Sequence, residues 1–345
     1  MNLSSSKNTP TDIDIVVLWV DGSDIEWQKR KAHYKSLETG IEQSPEINEA
    51  SRYRDWGLLK YWFRAIESYA PWARTIHFVT CGQIPAWLNT HHPKLHLVNH
   101  SDYIPSEFLP TFSSHTIELN LFRINELSEH FIYFNDDMFL SAPTKPKDFF
   151  RHGVPCAAPI LTPIVPSIPG HPFVHYLLND TAVINGHFDL HNSAKANLLK
   201  WINLKYGKLV LKNLLYLKLR KVVGFQNFHM PSPMLKSSFQ KVWEMEPDIL
   251  ENTCKHRFRA ITDVNQYVVS YLDYCEGRFS PVSPKHGRYF SVGEEHELQR
   301  KAIVDQKYKY ITINDTDFEI DFEKEKAFLI DLFEKAFPSK SAFEL

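Results

Sequence analysis

Carboxylates and amides recur where apolar runs of this sequence stop. Ile13 to Val20 gives way to Asp21-Gly22-Ser23-Asp24, Ile76 to Thr80 to Cys81-Gly82-Gln83, Phe131 to Phe134 to Asn135-Asp136-Asp137, and Tyr310 to Ile313 to Asn314-Asp315. Several carboxylates can face a phosphate-bearing ligand only with a divalent cation between them, and hard oxygen donors select Mg²⁺ or Mn²⁺. The same residue types are common turn formers, so a plain turn competes as a reading of Asn135-Asp136-Asp137. Two further side chains stand apart. His229 lies in the Pro-rich turn Asn227-Phe228-His229-Met230-Pro231, where an imidazole is exposed or lines a site, and Arg259 lies in Arg257-Phe258-Arg259. Taken singly, each reads as surface decoration.

The elements that must carry these groups follow from the hydrophobic pattern. Ile13 to Val20, Ile76 to Thr80, Leu95 to Val98 and Phe131 to Phe134 read as strands. Between them, Trp56, Leu59, Phe63, Ile66 and Ala70 recur at helical spacing and predict a helix from about Arg52 to Tyr69, ended by Pro71. Ile117, Leu121, Ile124 and Leu127 predict another over Ser114 to Leu127. Strands alternating with amphipathic helices imply a parallel α/β sheet with right-handed crossovers. Such sheets bind ligands beyond the carboxyl ends of their strands, which would gather the first three loops at one edge. In the second half, Asp263 is expected to open a helix striped by Val264, Tyr267, Val268, Tyr271, Leu272 and Cys275, and Phe322 to Phe337 to close the core.

Composition sets outer bounds. With 345 residues, 43% hydrophobic and 23% charged, the chain has the material for a large core, which excludes general disorder. The net charge of −2 argues against nucleic-acid binding by bulk charge, but it is unevenly spread. No acid occurs between Leu190 and Trp243, where ten lysines and arginines lie, so the remainder carries −12. From Ala194 to Val223 leucines interleave with lysines, which suits either an anionic membrane surface or a helical insertion with a solvated lysine face. Their aliphatic character disfavours a stacking platform for nucleic acid. His152 to Asn179 is uncharged but holds six prolines, and reads as an extended apolar loop rather than a membrane span. Cys81, Cys156, Cys254 and Cys275 are widely spaced and read as free thiols in a reducing compartment. Met1 to Thr11 is polar and lacks the apolar stretch of a signal peptide, so cytosolic residence is the expectation.

Four segments together resemble the ordered blocks of the Stealth family of sugar-1-phosphate transferases. Ile13 to Asp24 is similar to the first. Arg52-Tyr53-Arg54-Asp55-Trp56-Gly57, Ala70-Pro71-Trp72, Gly82 to Asn89, Leu109 to Ser114 and Phe131 to Phe139 resemble the second. Phe228 to Pro231 with Arg259 to Tyr274 resembles the third, and Tyr310 to Asp315 the fourth. Leu58 departs from the family, which often has Glu there. The segment between Arg151 and Gln226 matches no block and is where acceptor preference is expected to reside.

The resemblance implies a GT-A-like, Rossmann-type α/β fold: a mostly parallel sheet flanked by helices, with a basic helical insertion. The expected organisation is a disordered N-terminus (1–11), a first core part (12–150), the Pro-rich loop and basic insertion (151–226), a second core part (227–337) and a tail (338–345). The implied reaction is attack of an acceptor hydroxyl on the β-phosphorus of a UDP-sugar, with transfer of a hexose-1-phosphate, N-acetylhexosamine-1-phosphate being expected, and release of UMP. His229 is then the candidate general base and Arg259 the phosphate clamp. Asp136 and Asp137 are catalytic candidates, with Asp137 and Asp315 as metal ligands for Mg²⁺ or Mn²⁺. Trp19, Val20, Asp21, Gly22, Asp24, Arg52, Asp55, Gln83, Ser113 and Arg123 are the expected nucleotide-sugar contacts. The partners implied are the UDP-sugar and an oligosaccharide or lipid-linked glycan acceptor, with residues 195–221 facing an anionic membrane and no nucleic acid. The expected location is the cytoplasm, extending to the inner face of the bacterial membrane. A glycosyltransferase that releases UDP and a noncatalytic glycan-binding relative are the alternatives.

Overall fold

Five β-branched or aliphatic residues and one acid, Ile13 to Leu18, form the central strand of the molecule, buried on both faces as a parallel sheet requires. The computed structural model describes residues 12–37, 54–166, 172–315 and 319–345; the expected disordered N-terminus, and Arg52, lie outside these. The strands that position the site are β1 (Ile13–Leu18), β2 (Ile76–Thr80), β3 (Leu95–Asn99), β4 (His130–Phe134), β5 (Met138–Leu140), β6 (Ser232–Leu235), β7 (Gly287–Ser291) and β8 (Tyr310–Asn314). The main sheet has the order β3-β2-β1-β4-β6, with the first four strands parallel and β6 antiparallel to β4. A second sheet, β7-β8-β5, pairs β8 in parallel with β7 and antiparallel with β5. Only Asn135-Asp136-Asp137 separates β4 from β5, so the acidic turn is also the joint between the two sheets. The mixed α/β architecture with a mostly parallel sheet is the one expected.

Alternation along each strand divides the core in two. Ile13, Ile15, Val17, Ile132 and Phe134 face one cluster, and Val16, Phe131 and Tyr133 the other. Helices α1 (Ile25–Leu37), α2 (Leu59–Tyr69), α3 (Ser114–Leu119), α4 (Phe173–His187), α5 (Val210–Tyr216), α6 (Tyr267–Cys275) and α7 (Phe322–Ala336) complete the layers used below. On the first face α2 buries Trp62, Phe63 and Ile66, each contributing about 1.5–3 kcal/mol. Leu58 lies in that cluster, so the position where the family often has Glu is apolar and enclosed here.

Several boundaries differ from expectation for local reasons. Helix α2 starts at Leu59, not near Arg52, because Gly57 is left-handed (φ +70°) and its N–H is taken by Asp55 Oδ1 at 2.7 Å. The helix expected over Ser114–Leu127 stops at Leu119, where the buried Asn120 side chain donates to Thr116 O at 2.8 Å; a 3₁₀ turn over Leu121–Arg123 follows. Asp263 does not open α6, which begins at Tyr267, since its carboxylate is used elsewhere. The loop expected through Asn179 gives way to α4 once Pro172 has passed. The basic segment is helical, as expected, but in short pieces, and its Leu161-, Trp201- and Phe225-lined interior joins the second core cluster. The final residues fold back: Arg64 forks onto both carboxylate oxygens of Glu344 at 2.8 Å, and Leu345 N–H donates to Trp87 O. All four cysteines are free thiols.

Asp14 breaks the apolar run of β1 and is fully buried. Its carboxylate accepts from Arg74 Nε at 2.8 Å, His77 Nε2 at 3.1 Å and Ser128 N at 2.8 Å, tying the amino ends of β1, β2 and β4 together. Burial opposes the charge, but the bonds from His77, Arg74 and Ser128 hold the acid below its usual 3.8. A depressed folded-state pKa means this stabilisation is complete above 3.8 and lost as pH falls through the lower folded value. Asp14→Asn leaves buried donors facing a neutral amide and is expected to cost about 3–5 kcal/mol. Urea unfolding of both proteins checks this, and their difference should shrink below pH 3.8.

Candidate active site

Because β1, β2 and β4 are parallel, their carboxyl ends open on one edge, and the three expected loops meet there. Trp19 continues β1, donating its N–H to Val79 O and stacking on Phe78 at 5.6 Å, while Val20 follows half-buried. In the next turn Asp21 Oδ1 accepts from Ser23 N at 2.9 Å and from its hydroxyl at 2.6 Å. Gly22 is buried, its carbonyl accepting from Gln28 Nε2 at 2.7 Å. Asp24 caps α1 by accepting from Glu26 N and Trp27 N. Gln83 arrives from the end of β2 and locks this turn: its Oε1 accepts from Asp21 N at 2.8 Å, and its Nε2 donates to Asp21 O and Asp24 Oδ2. The Gln83 bond, with the capped N–H groups, holds the Asp24 carboxyl below the usual range. Asp24 and Gln83 therefore build the rim of the site.

At the end of β4 the carboxylates are differently placed. Asp137 Oδ2 accepts from His229 Nε2 at 3.0 Å, while its Oδ1 is buried without a hydrogen-bond partner. Its carbonyl accepts from Ile313 N at 2.9 Å, which joins the acidic turn to β8. Crowding by protein, reinforced by the charges of Asp137 and Asp55, lifts Asp136 to about 7, although the residue stays exposed at the mouth of the site. Asp55 is otherwise a turn residue through its bond to Gly57 N. Asp315, just past β8, accepts from Trp56 Nε1 at 3.3 Å and faces Arg54 at 3.9 Å.

His229 sits in left-handed backbone (φ +48°), its carbonyl held by the Thr312 hydroxyl. Burial pushes the imidazole pKa down, but the charge and hydrogen bond of Asp137, with Glu118 behind them, outweigh it and leave a net rise. Arg259 opposes that rise, so its guanidinium shares the electrostatic field of the imidazole; it donates to Ser114 Oγ at 2.6 Å. Ser113, next to that partner, is buried with its hydroxyl unpaired. Arg123 lies elsewhere, bonded to Asn120 and laid over Phe122 and Trp243 at 4.7 and 5.0 Å.

Sequence reasoning passed over several residues here. Glu118 is buried and accepts from the Tyr133 hydroxyl at 2.9 Å. Burial, with the charges of Glu118, Asp137 and Asp180, raises the Tyr267 phenol. Asp180 is fully buried with Oδ2 unpaired, and burial keeps it well above the usual carboxylate range. Asp263 fixes the Arg259 turn, accepting from Ala260 N at 2.9 Å and pairing with His256 at 2.7 Å and His115 at 3.0 Å. The one signal for Glu118 was a charged residue within a stretch expected to be helical, and for Asp180 its place just after the uncharged run His152 to Asn179.

The carboxylates fit a cation that arrives with its substrate better than a preformed cage. Among the described residues no three His, Cys, Asp or Glu side chains converge on one metal position. Asp137 Oδ1 is unpaired beside Asp136, and such a pair could hold a divalent cation that takes one or two protein ligands and completes its shell with phosphate oxygens. A concavity of about 630 Å³ is lined by none of the expected site residues; its charged lining, Glu246, Asp248, Glu251 and Lys255, is net negative, the wrong sign for phosphates.

The family profiles described as Stealth protein CR1, conserved region 1, and Stealth protein CR2, conserved region 2, match residues 11–37 and 52–156. The chain is 40% identical over 332 residues to the capsular polysaccharide phosphotransferase WcwK of Streptococcus pneumoniae, covering 96% of this chain and 98% of that one. The chain belongs to the Stealth family. It is likewise 38% identical to the receptor polysaccharide phosphotransferase WefC of Streptococcus gordonii (96% and 99% covered) and 36% identical to the exopolysaccharide phosphotransferase cps2G of Lactiplantibacillus plantarum (97% and 97%). This Stealth chain is therefore a transferase. Among its described residues no helix is long and apolar enough to cross a membrane.

Asp263→Asn should loosen the turn that aims Arg259. The expected result is a fall in kcat of up to about 100-fold with the circular dichroism spectrum retained. Unchanged turnover would show that the turn is held without it.

Proposed function

We propose that this Stealth enzyme transfers a hexose-1-phosphate, N-acetylhexosamine-1-phosphate being the expected group, from a UDP-sugar to a hydroxyl of a glycan acceptor in capsular or other cell-surface polysaccharide synthesis. The acceptor oxygen attacks the β-phosphorus, a phosphodiester forms, and UMP leaves with the electrons of the broken phosphoanhydride bond. The relatives' names as polysaccharide phosphotransferases support this class of reaction. The observation that carries the residue assignments is the 3.0 Å pair of His229 Nε2 with Asp137 Oδ2 at the carboxyl edge of the sheet.

Asp137 accepts the Nε2 proton of neutral His229 and so leaves the lone pair on Nδ1, the atom assigned to take the acceptor's proton. Arg259 neutralises charge on the transferred phosphoryl oxygens, for which its planar fork is suited. A divalent cation, Mg²⁺ or Mn²⁺, would supply further charge neutralisation on the phosphates, held by Asp137 through Oδ1 and by Asp136, with Asp315 the candidate ligand on the neighbouring strand. The rim built by Asp21, Gly22, Asp24 and Gln83, with Trp19, Val20 and Ser113, is the proposed nucleotide-sugar contact. Arg52 and Asp55 retain that role as proposals, whereas the packing of Arg123 on Trp243 supports a structural one. The acceptor is an oligosaccharide or lipid-linked glycan, and the proposed location is the cytoplasm, at the inner face of the membrane.

His229→Ala is expected to lower kcat by about 10²–10⁴-fold while donor binding, read by nucleotide titration, stays intact. Near-normal turnover in this variant removes His229 as the base. With a panel of UDP-sugars, UMP should accumulate; accumulation of UDP instead would establish glycosyl transfer. Exhaustive chelation should abolish turnover and added Mg²⁺ or Mn²⁺ restore it, whereas activity surviving chelation rules out the cation.

A further inference from the structure

Helix α5 is inside out. Its buried position is Asn213, fully enclosed, with its side chain accepting from Leu161 N at 2.8 Å and donating to Pro159 O at 3.0 Å and Trp201 O at 2.8 Å. Its solvent face carries Leu211, Leu214 and Leu215, 64%, 44% and 62% exposed. A helix that packs for solubility does the reverse. The inversion extends beyond α5, because Leu199 (83%) and Leu204 (93%) are still more exposed on the turns that precede it. Exposed apolar side chains concentrated in this way mark an interaction surface.

Charge selects the partner. Lys195, Lys208 and Lys218 are exposed on the same segment, and no acidic residue lies anywhere between Leu190 and Trp243. Pairing this surface with a second copy of itself would set cation against cation. An anionic bilayer satisfies both components, taking the leucines into the acyl boundary and the ammonium groups at the headgroups. We infer that the leucine face of residues 198–219 docks this enzyme on an anionic lipid surface. The docking does not rest on the chemistry assigned to His229. Its consequence for that chemistry is positional: Leu219 and His229 are ten residues apart, so the docked face lies at most about 36 Å from the proposed base.

The test is sedimentation of the full chain with vesicles of phosphatidylglycerol mixed with phosphatidylcholine, and with phosphatidylcholine alone. The wild type is expected to pellet with the anionic vesicles and to be partly released by salt. The triple variant Leu211→Ser, Leu214→Ser, Leu215→Ser should bind at least about tenfold more weakly, with unchanged transfer to a water-soluble acceptor. Lys208→Gln with Lys218→Gln should lose about fivefold per lysine, and this variant carries the test if the serine variant fails to fold. Wild type remaining in the supernatant with both vesicle types overturns the inference. So does partitioning untouched by either variant, or a dimer seen by analytical ultracentrifugation that the leucine substitutions dissolve, which would make a second copy the occupant. Failure of nucleotide release in the presence of intact vesicle binding would count against the proposed reaction and leave the docking surface standing.

Discussion

A single buried carboxylate, that of Asp14, holds the amino edge of the sheet in register, and the site at the opposite edge depends on it. Its three partners come from β2, from the turn before β2 and from the turn before β4, so it pins three strands at their starts. Parallel strands have no hairpin to set their alignment, and a slip of one residue would exchange the two faces of each. With the starts fixed, Ile15 opposes Ile76 and Ile13 opposes His130, and the loops after Leu18, Thr80 and Phe134 emerge together. Asp21, Gln83 and Asp137 are neighbours at one edge because of a charge at the other.

The acids of the site divide into two kinds. Asp21 and Asp24 are saturated by local N–H groups and by Gln83, which makes them good frame and leaves little of their charge to a ligand. Asp136 and Asp137 lie where two sheets join; crowding and its neighbour's charge raise Asp136, and Asp137 keeps one oxygen unpaired, which is the basis of the proposed cation site. Glu118 extends the negative field inward behind Asp137, so the imidazole of His229 lies between these acids and Arg259 as the opposing charge.

Strands and the convergence of their loops were legible because β-branched runs and the rule for parallel sheets are strong local signals. His229 and Arg259 stand out in the sequence, but the roles proposed for them come only from the resemblance, since each is one residue in a turn whose partner lies 92 and 145 positions away. Asp14, Glu118, Asp180 and Asp263 were illegible for the same reason: a buried acid is defined by donors scattered through the chain. Helix boundaries failed where side chains intercepted the backbone, at Asp55, Asn120 and Asp263. The orientation of the basic segment was also invisible, because periodicity reports that leucines share a face and not which way the face turns.

The left-handed backbone at His229 means that fold and chemistry disagree at this position. Such a conformation is strained by roughly 1–2 kcal/mol for most side chains and nearly free for glycine. Folding alone would favour glycine or asparagine there, so the imidazole persists against the grain of stability. On the base role proposed for His229, a screen for thermostable variants would drift toward an inert protein at this residue, whereas a screen for turnover would hold the strained one.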